Sequence, residues 1–279
     1  MSSFPRQLEL LKLSIEIGDS VRMTKWNGRA ARRLLAFADD APTVEEAIDR
    51  VVGRLVDGVQ CPPTDLAALM RRLDVVSVDE DATLTGSGVL VSTADGRFKI
   101  RYSPQSESRS RFTIAHELAH VVFTRTGDPW PRRGRELERL CDMIASEILM
   151  PKRVFRLAAA PFPTLAVARS LSGRFRTSLT ATVLRCAQLF DLSCFEIENG
   201  YWRWSYSIAR QLSRYMIKDD IGSMIDSAIE RPAGEADLCL RVNGQFKPMQ
   251  LEWQALGGGG RHLFMLRPKT GSYPSRSCR

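Results

Sequence analysis

The sequence predicts an α+β protein: a compact core of helices with a small, mostly antiparallel sheet, then a helix-turn-helix-like helical segment, then a C-terminal α+β module. Three observations lead there. Apolar residues recur at helical spacing over much of the first 190 residues. Three short apolar runs between residues 75 and 102 are separated by turn residues. After about residue 200 the character changes to apolar runs punctuated by Asn-Gly and a glycine run. The expected boundaries are an N-terminal helical extension over 1–60, the core over 61–155, the helical segment over 156–200 and the last module over 201–279.

In chain order, the first sixty residues read as helical. Thr43 and Glu46 form a capping-box pattern ahead of Val44, Ile48, Val51, Val52, Leu55, Val56 and Val59. Cys61-Pro62-Pro63 breaks that helix, and Thr64 is placed to cap a short one carrying Leu66, Leu69, Met70 and Leu73. Strands are expected around Val75–Val78, Gly88–Val91 and Phe98–Tyr102, with Asp95-Gly96 as the hairpin turn between the last two. Ser106 or Ser108 then caps a helix on which Phe112, Ala115, Leu118, Ala119 and Val122 recur. Residues 127–134 are loop-like in composition. A second helix follows with Leu137, Leu140, Cys141, Ile144, Ala145, Ile148 and Leu149, stopped by Pro151. Beyond Pro161 and Pro163, residues 164–172 and 178–189 read as two short helices around Gly173, compatible with a helix-turn-helix. A helix over about 207–229 precedes strand-like runs at 237–242, 249–256 and 261–267, with Asn243-Gly244 and Gly257–Gly260 as turns.

Composition narrows the function classes. Hydrophobic residues are 44% and charged residues 26% of 279, an ordinary globular balance and neither a disordered nor a fibrous one. The first nineteen residues carry charges inside their apolar stretch and do not read as a secretory signal, and no run of about twenty apolar residues is present to span a bilayer. Six cysteines without a CxxC pair fit reduced thiols, so the expected location is the cytoplasm. A net charge of +8 favours an acidic partner. Residues 151–190 hold Lys152, Arg153, Arg156, Arg169, Arg174, Arg176 and Arg185 with no Asp or Glu, which makes DNA a candidate partner for that segment. The run Gly257–Gly260 lacks a following Lys-Ser or Lys-Thr, which argues against a phosphate loop.

The chemistry concentrates at His116-Glu117-Leu118-Ala119-His120. Four residues apart on a helix, the two imidazoles share a face and can reach one ion. Glu117 is offset by one position, where its carboxylate can reach a metal-bound water and serve as general base. Two of the three histidines in the chain lie in this pattern, which weighs against two unrelated core histidines. Catalytic zinc takes three protein ligands and keeps a fourth position for water, and no cysteine cluster suggests a closed structural site. Glu138 and Asp142, one turn apart on the next helix, supply the remainder: Glu138 as third ligand, Asp142 as acceptor for a ring N–H of a ligating histidine. Glu136 faces elsewhere and Glu147 lies further from the loop; both read as surface or structural charges. Tyr102 and His262 are the candidates for stabilising an oxyanion, and spacing recommends neither.

Arg111-Phe112-Thr113-Ile114-Ala115-His116-Glu117-Leu118-Ala119-His120, with Glu138 to Asp142 and Ser146-Glu147-Ile148-Leu149-Met150-Pro151, resembles the ImmA/IrrE family of metallopeptidases over about residues 61–155. The resemblance implies a zincin-like core, zinc held by the two histidines and Glu138, and cleavage of a helix-turn-helix transcriptional repressor that releases stress or mobile-element genes. It also implies a helix-turn-helix-like middle and a sensor-like C-terminal module. Ala119 stands where the family commonly has glycine, and its small side chain still permits close helix packing. The rival expectation is a DNA-binding or repressor-docking regulator that acts without proteolysis.

Overall fold

The computed structural model describes residues 26–59, 61–127, 134–159, 163–190, 192–207, 222, 224–242, 245–257 and 260–269. The expectations for residues 1–25, for the loop over 128–133, for most of the helix over 207–229 and for the Asn243-Gly244 turn lie outside these. The chain divides into two compact units, one from residues 25–159 with 170–181, the other containing the described residues of 160–169 and 182–279. No helix among the described residues is long and apolar enough to cross a membrane.

The first unit opens with α1 (Arg29–Phe37) and α2 (Val44–Val56). Thr43 caps α2 as the sequence predicts, its hydroxyl accepting from Glu46 N at 3.2 Å, while the Glu46 carboxylate pairs instead with Arg50 one turn on. The short helix α3 (Leu66–Arg72) is capped by Asp65, which accepts from Ala68 N at 3.0 Å. Thr64, the expected cap, is buried, and its hydroxyl donates to the Ile148 carbonyl at 2.8 Å. A long-range partner takes it away from the local role.

Strands β1 (Val75–Glu80), β2 (Gly88–Ser92) and β3 (Phe98–Tyr102) form a sheet of order β1-β3-β2. The β2–β3 pairing is antiparallel around the predicted Asp95-Gly96 turn, where Gly96 takes φ +79°, a conformation that glycine adopts without steric cost. The β1–β3 pairing is parallel, so this sheet is mixed and not mostly antiparallel. The reason is topological: β2 and β3 form the hairpin, β3 returns in the direction of β1, and β1 joins on its free side.

Against this sheet lies α4 (Glu107–Thr124), and α5 (Arg135–Leu149) packs on α4. Leu118, Ala119, Val121 and Val122 of α4, with Leu140, Cys141, Ile144, Ala145 and Ile148 of α5, are at most 3% exposed, so this pair forms the centre of the unit's core. Ser106 stands at the N-cap position of α4, its backbone carbonyl accepting from Arg109 N and Ser110 N. Pro151 separates α5 from α6 (Lys152–Ala158), whose first N–H, Lys152 N, donates to Glu147 Oε1 at 2.6 Å. Next come α7 (Leu165–Phe175) and α8 (Leu179–Leu189). Gly173 lies inside α7. The helices part at Arg176, φ +51°, with Thr177 N donating to the Ser172 carbonyl, and Ser178 caps α8.

In the second unit, β4 (Ser193–Glu198), β5 (Tyr201–Ser207), β6 (Ala233–Val242), β7 (Gln245–Ala255) and β8 (Arg261–Pro268) make an antiparallel sheet of order β5-β4-β8-β7-β6. Phe195, Leu240, Leu251, Trp253, Phe264 and Leu266 cluster on it with Ile225 and Ala228 of a helical stretch at 224–229. The three predicted runs correspond to β6–β8. The β4–β5 hairpin is additional, and its register shift at Glu196 and Ile197 interrupts the alternation by which a strand is read. Cys61, Cys141, Cys186 and Cys194 are free thiols, whereas Cys239 is disulfide-bonded, which corrects the reading of all six as thiols.

Candidate metal centre

Helix α4 presents His116 and His120 one turn apart, their ring centroids 5.0 Å from one another at an interplanar angle of 68°. Packing of α5 across α4 brings the first turns of α5 to these rings. Glu138 Oε2 lies 3.2 Å from His116 Nε2 and 3.6 Å from His120 Nε2, and one ligand atom from each of the three residues falls within 4.8 Å of the other two. Asp142 Oδ1 lies 2.9 Å from His116 Nδ1. The structure therefore brings together the residues that the sequence singled out, drawn from two helices, with His116 and Glu138 twenty-two positions apart in the chain.

The centre is closed on its histidine side and open on its carboxylate side. The side chains of His116 and His120 are 16% and 9% exposed, those of Glu138 and Asp142 40% and 57%. Burial of the His116 ring works against charging it. The hydrogen bond to Asp142 and the charges of Asp142, Glu117 and Glu138 outweigh that, so its pKa stands above the ordinary histidine value. The field at this point favours a cation.

The donor set suits a metal ion. Two imidazole nitrogens and a carboxylate oxygen converge, and Glu138 Oε1 is buried with no hydrogen-bond partner, leaving acceptor capacity on the carboxylate that nothing else uses. Glu117, 4% exposed, is held between α4 and the edge strand β2. A Cβ added at Gly88 would stand 3.1 Å from Glu117 Oε1 and would strike Thr113 Cγ2. Gly88 is thus what admits the carboxylate, and a lone glycine at a strand start gave no sign of this in the sequence.

The remaining candidates are sorted by the same geometry. Glu136 receives Gly28 N at 3.0 Å and Ala31 N at 3.4 Å, which makes it the N-terminal anchor of α1. Glu147, buried, holds the start of α6. His262 belongs to β8 in the other unit, and Tyr102 closes β3. Cys141, read from the sequence as a core thiol, places Sγ 3.6 Å from His120 Nδ1. Its position three residues after Glu138 and directly before Asp142 was the available signal.

A search of the curated proteins found no match. Residues 89–187, from β2 into α8, match the family model Peptidase_M78, described as the IrrE N-terminal-like domain. This stretch starts later than the sequence resemblance over 61–155 and extends beyond it. It contains α4 and α5 whole, so this part of the chain is similar to the IrrE N-terminal-like peptidase domain, consistent with the resemblance to the ImmA/IrrE metallopeptidases.

Proposed function

We propose that the protein is a zinc-dependent endopeptidase in which His116, His120 and Glu138 hold the metal, Glu117 is the general base and Asp142 orients His116. The observation that carries this reading is the position of Glu138 Oε2, 3.2 and 3.6 Å from the two Nε2 atoms. Zinc takes imidazole and carboxylate ligands at about 2.0–2.2 Å, and the three donor atoms here lie within 4.8 Å of one another, close enough that they would share one ion. Two imidazoles and one carboxylate, with solvent on the carboxylate side, match an open three-ligand catalytic site and not a closed structural one.

Bound zinc would acidify a water molecule and polarise the scissile carbonyl. Glu117 takes the proton of the attacking water on its carboxylate and delivers it to the departing amine nitrogen, so that one group serves as base and then acid. Asp142 Oδ1 accepts the Nδ1–H of His116 and so fixes the tautomer with Nε2 free for coordination. The opening beside Glu138 and Asp142 is where a polypeptide substrate gains access.

The resemblance to ImmA/IrrE proteins supports a helix-turn-helix repressor as the substrate, site-specific cutting as the outcome, derepression of stress or mobile-element genes as the consequence, and the cytoplasm as the location. The unit containing β4–β8 is proposed as a sensory module under the same resemblance. The alternative, a DNA-binding or repressor-docking role without proteolysis, is favoured by one observation. Arg153, Arg156, Arg169, Arg174 and Arg176 along α6–α8 are exposed, although Arg185 is buried and Arg176 pairs with Glu107 at 3.2 Å.

Co-expression with helix-turn-helix repressors encoded beside the gene, comparing wild type with Glu117→Gln and reading fragments by intact mass, separates the two. The expected result is a single cut with wild type and none with the variant, at unchanged zinc content. Repressor binding without a cut, equal for both proteins and lost at high salt, is the result that the alternative requires.

A further inference from the structure

About one turn of α5, from Glu138 to Asp142, faces both imidazoles of α4. Glu138 addresses the two Nε2 atoms, and Asp142 addresses His116 Nδ1 at 2.9 Å. Cys141, between them in the sequence, addresses His120 Nδ1 through Sγ at 3.6 Å, inside the range for a hydrogen bond to sulfur. Each of the four ring nitrogens therefore has an atom of α5 opposite it. His120 is 7% exposed and Cys141 fully buried, so a bulk water is poorly placed to substitute for the thiol.

We propose that Cys141 is a positioning residue for His120: its sulfur accepts the Nδ1–H, which leaves Nε2 as the lone-pair donor and sets the ring plane. This rests on the metal centre proposed above. A neutral imidazole carries one N–H, and the partner of that N–H decides which nitrogen is left to bind metal. The two rings are held unequally. His116 has a charged, half-exposed carboxylate, and His120 has a neutral, buried thiol. A thiol is a weak acceptor, sufficient to fix the tautomer without placing a second anion beside a ring that already faces Glu138. Ordinary packing alone explains a small side chain at position 141; it does not explain sulfur pointed at the ring nitrogen.

The test is a comparison of Cys141→Ser and Cys141→Ala in the full chain. Both variants remove similar volume, so the packing loss is common to them, and only serine restores an acceptor. Zinc affinity is measured by competition with a chromophoric chelator, and the centre is reconstituted with Co2+ to record its visible d–d spectrum. Cys141→Ala is expected to bind zinc at least about tenfold more weakly and to shift the Co2+ bands, with Cys141→Ser within about threefold of wild type. Equal affinities for the two variants, or a Co2+ spectrum unaltered in Cys141→Ala, overturn the proposal. Should Cys141→Ala fold poorly, Cys141→Val, which refills the space without an acceptor, must show the same loss as alanine; wild-type affinity in that variant overturns the proposal equally. Zinc bound by wild type and lost in His116→Ala supports the centre itself whatever the Cys141 series shows, and absence of zinc binding by wild type overturns both readings.

Discussion

Gly88 begins β2, the edge strand of the three-stranded sheet, with the Glu117 carboxylate directly against it. Its φ is not in the left-handed region, so its requirement is for space and not for an unusual backbone. A methyl group there meets Thr113 Cγ2 and sits 3.1 Å from Glu117 Oε1. Neither neighbour has room to retreat, because Thr113 and Glu117 are 5% and 4% exposed on a helix fixed by its packing. Gly88→Ala is therefore expected to cost about 1–3 kcal/mol of stability by overpacking. It should also lower peptide cleavage by about tenfold to a hundredfold through displacement of the base, with zinc content unchanged. Single-turnover cleavage at saturating zinc, with metal content by mass spectrometry, reads the two effects separately. Cleavage at the wild-type rate would show that Glu117 is not held by this contact.

At the scale of elements, the first turn of α5 carries two glutamates with opposite tasks. Glu138 turns toward α4 and the imidazoles, whereas Glu136 turns toward α1 and gathers Gly28 N and Ala31 N, backbone donors that the helix itself leaves without partners. Glu136→Ala is expected to destabilise the unit by about 0.5–2 kcal/mol, the usual value of a helix cap, while zinc affinity stays at the wild-type level. Denaturant unfolding paired with chelator competition measures both, and a loss of zinc affinity would show that α1 and the centre are coupled. The distinction between the two glutamates was legible in the sequence because it depends on helical phase alone, and so were the Thr43 cap, the Asp95-Gly96 hairpin and the pair His116 and His120. What was not legible depends on partners far away in the chain. Thr64 has the composition of a cap, yet its hydroxyl serves Ile148, eighty-four residues on. The parallel β1–β3 pairing follows from which side of a hairpin a third strand joins, and alternation of apolar residues is the same for both directions. Gly173 looked like a helix break, but the preceding and following apolar positions, Ala168, Leu171 and Phe175, bury a continuous face that outweighs its poor helix propensity of about 1 kcal/mol.

At the scale of the whole molecule, the proposed ligands, the base and both positioning contacts lie in the unit of residues 25–159 and 170–181, and the β4–β8 sheet has a core of its own. Metal linkage should therefore act on one part of the chain. A ligand that binds only the folded form stabilises it by about 2.7 kcal/mol at a hundredfold excess over Kd. For a unit of this size that corresponds to a rise in melting temperature of about 5–10 °C. Calorimetry of the zinc-loaded chain against the same chain treated with chelator is expected to show that rise in the transition of the metal-bearing unit. His116→Ala and Glu138→Ala should abolish the difference, since each leaves only two ligands. Where the two units melt separately, the transition of the β4–β8 unit should stay in place; if both transitions move together, zinc binding is felt across the chain, and the sheet unit becomes a place from which a signal can in turn alter the centre, because linkage of this kind is reciprocal. A melting profile indifferent to zinc and chelator would mean that Glu138, for all its closeness to both rings, pairs with them as an ordinary hydrogen-bonded carboxylate.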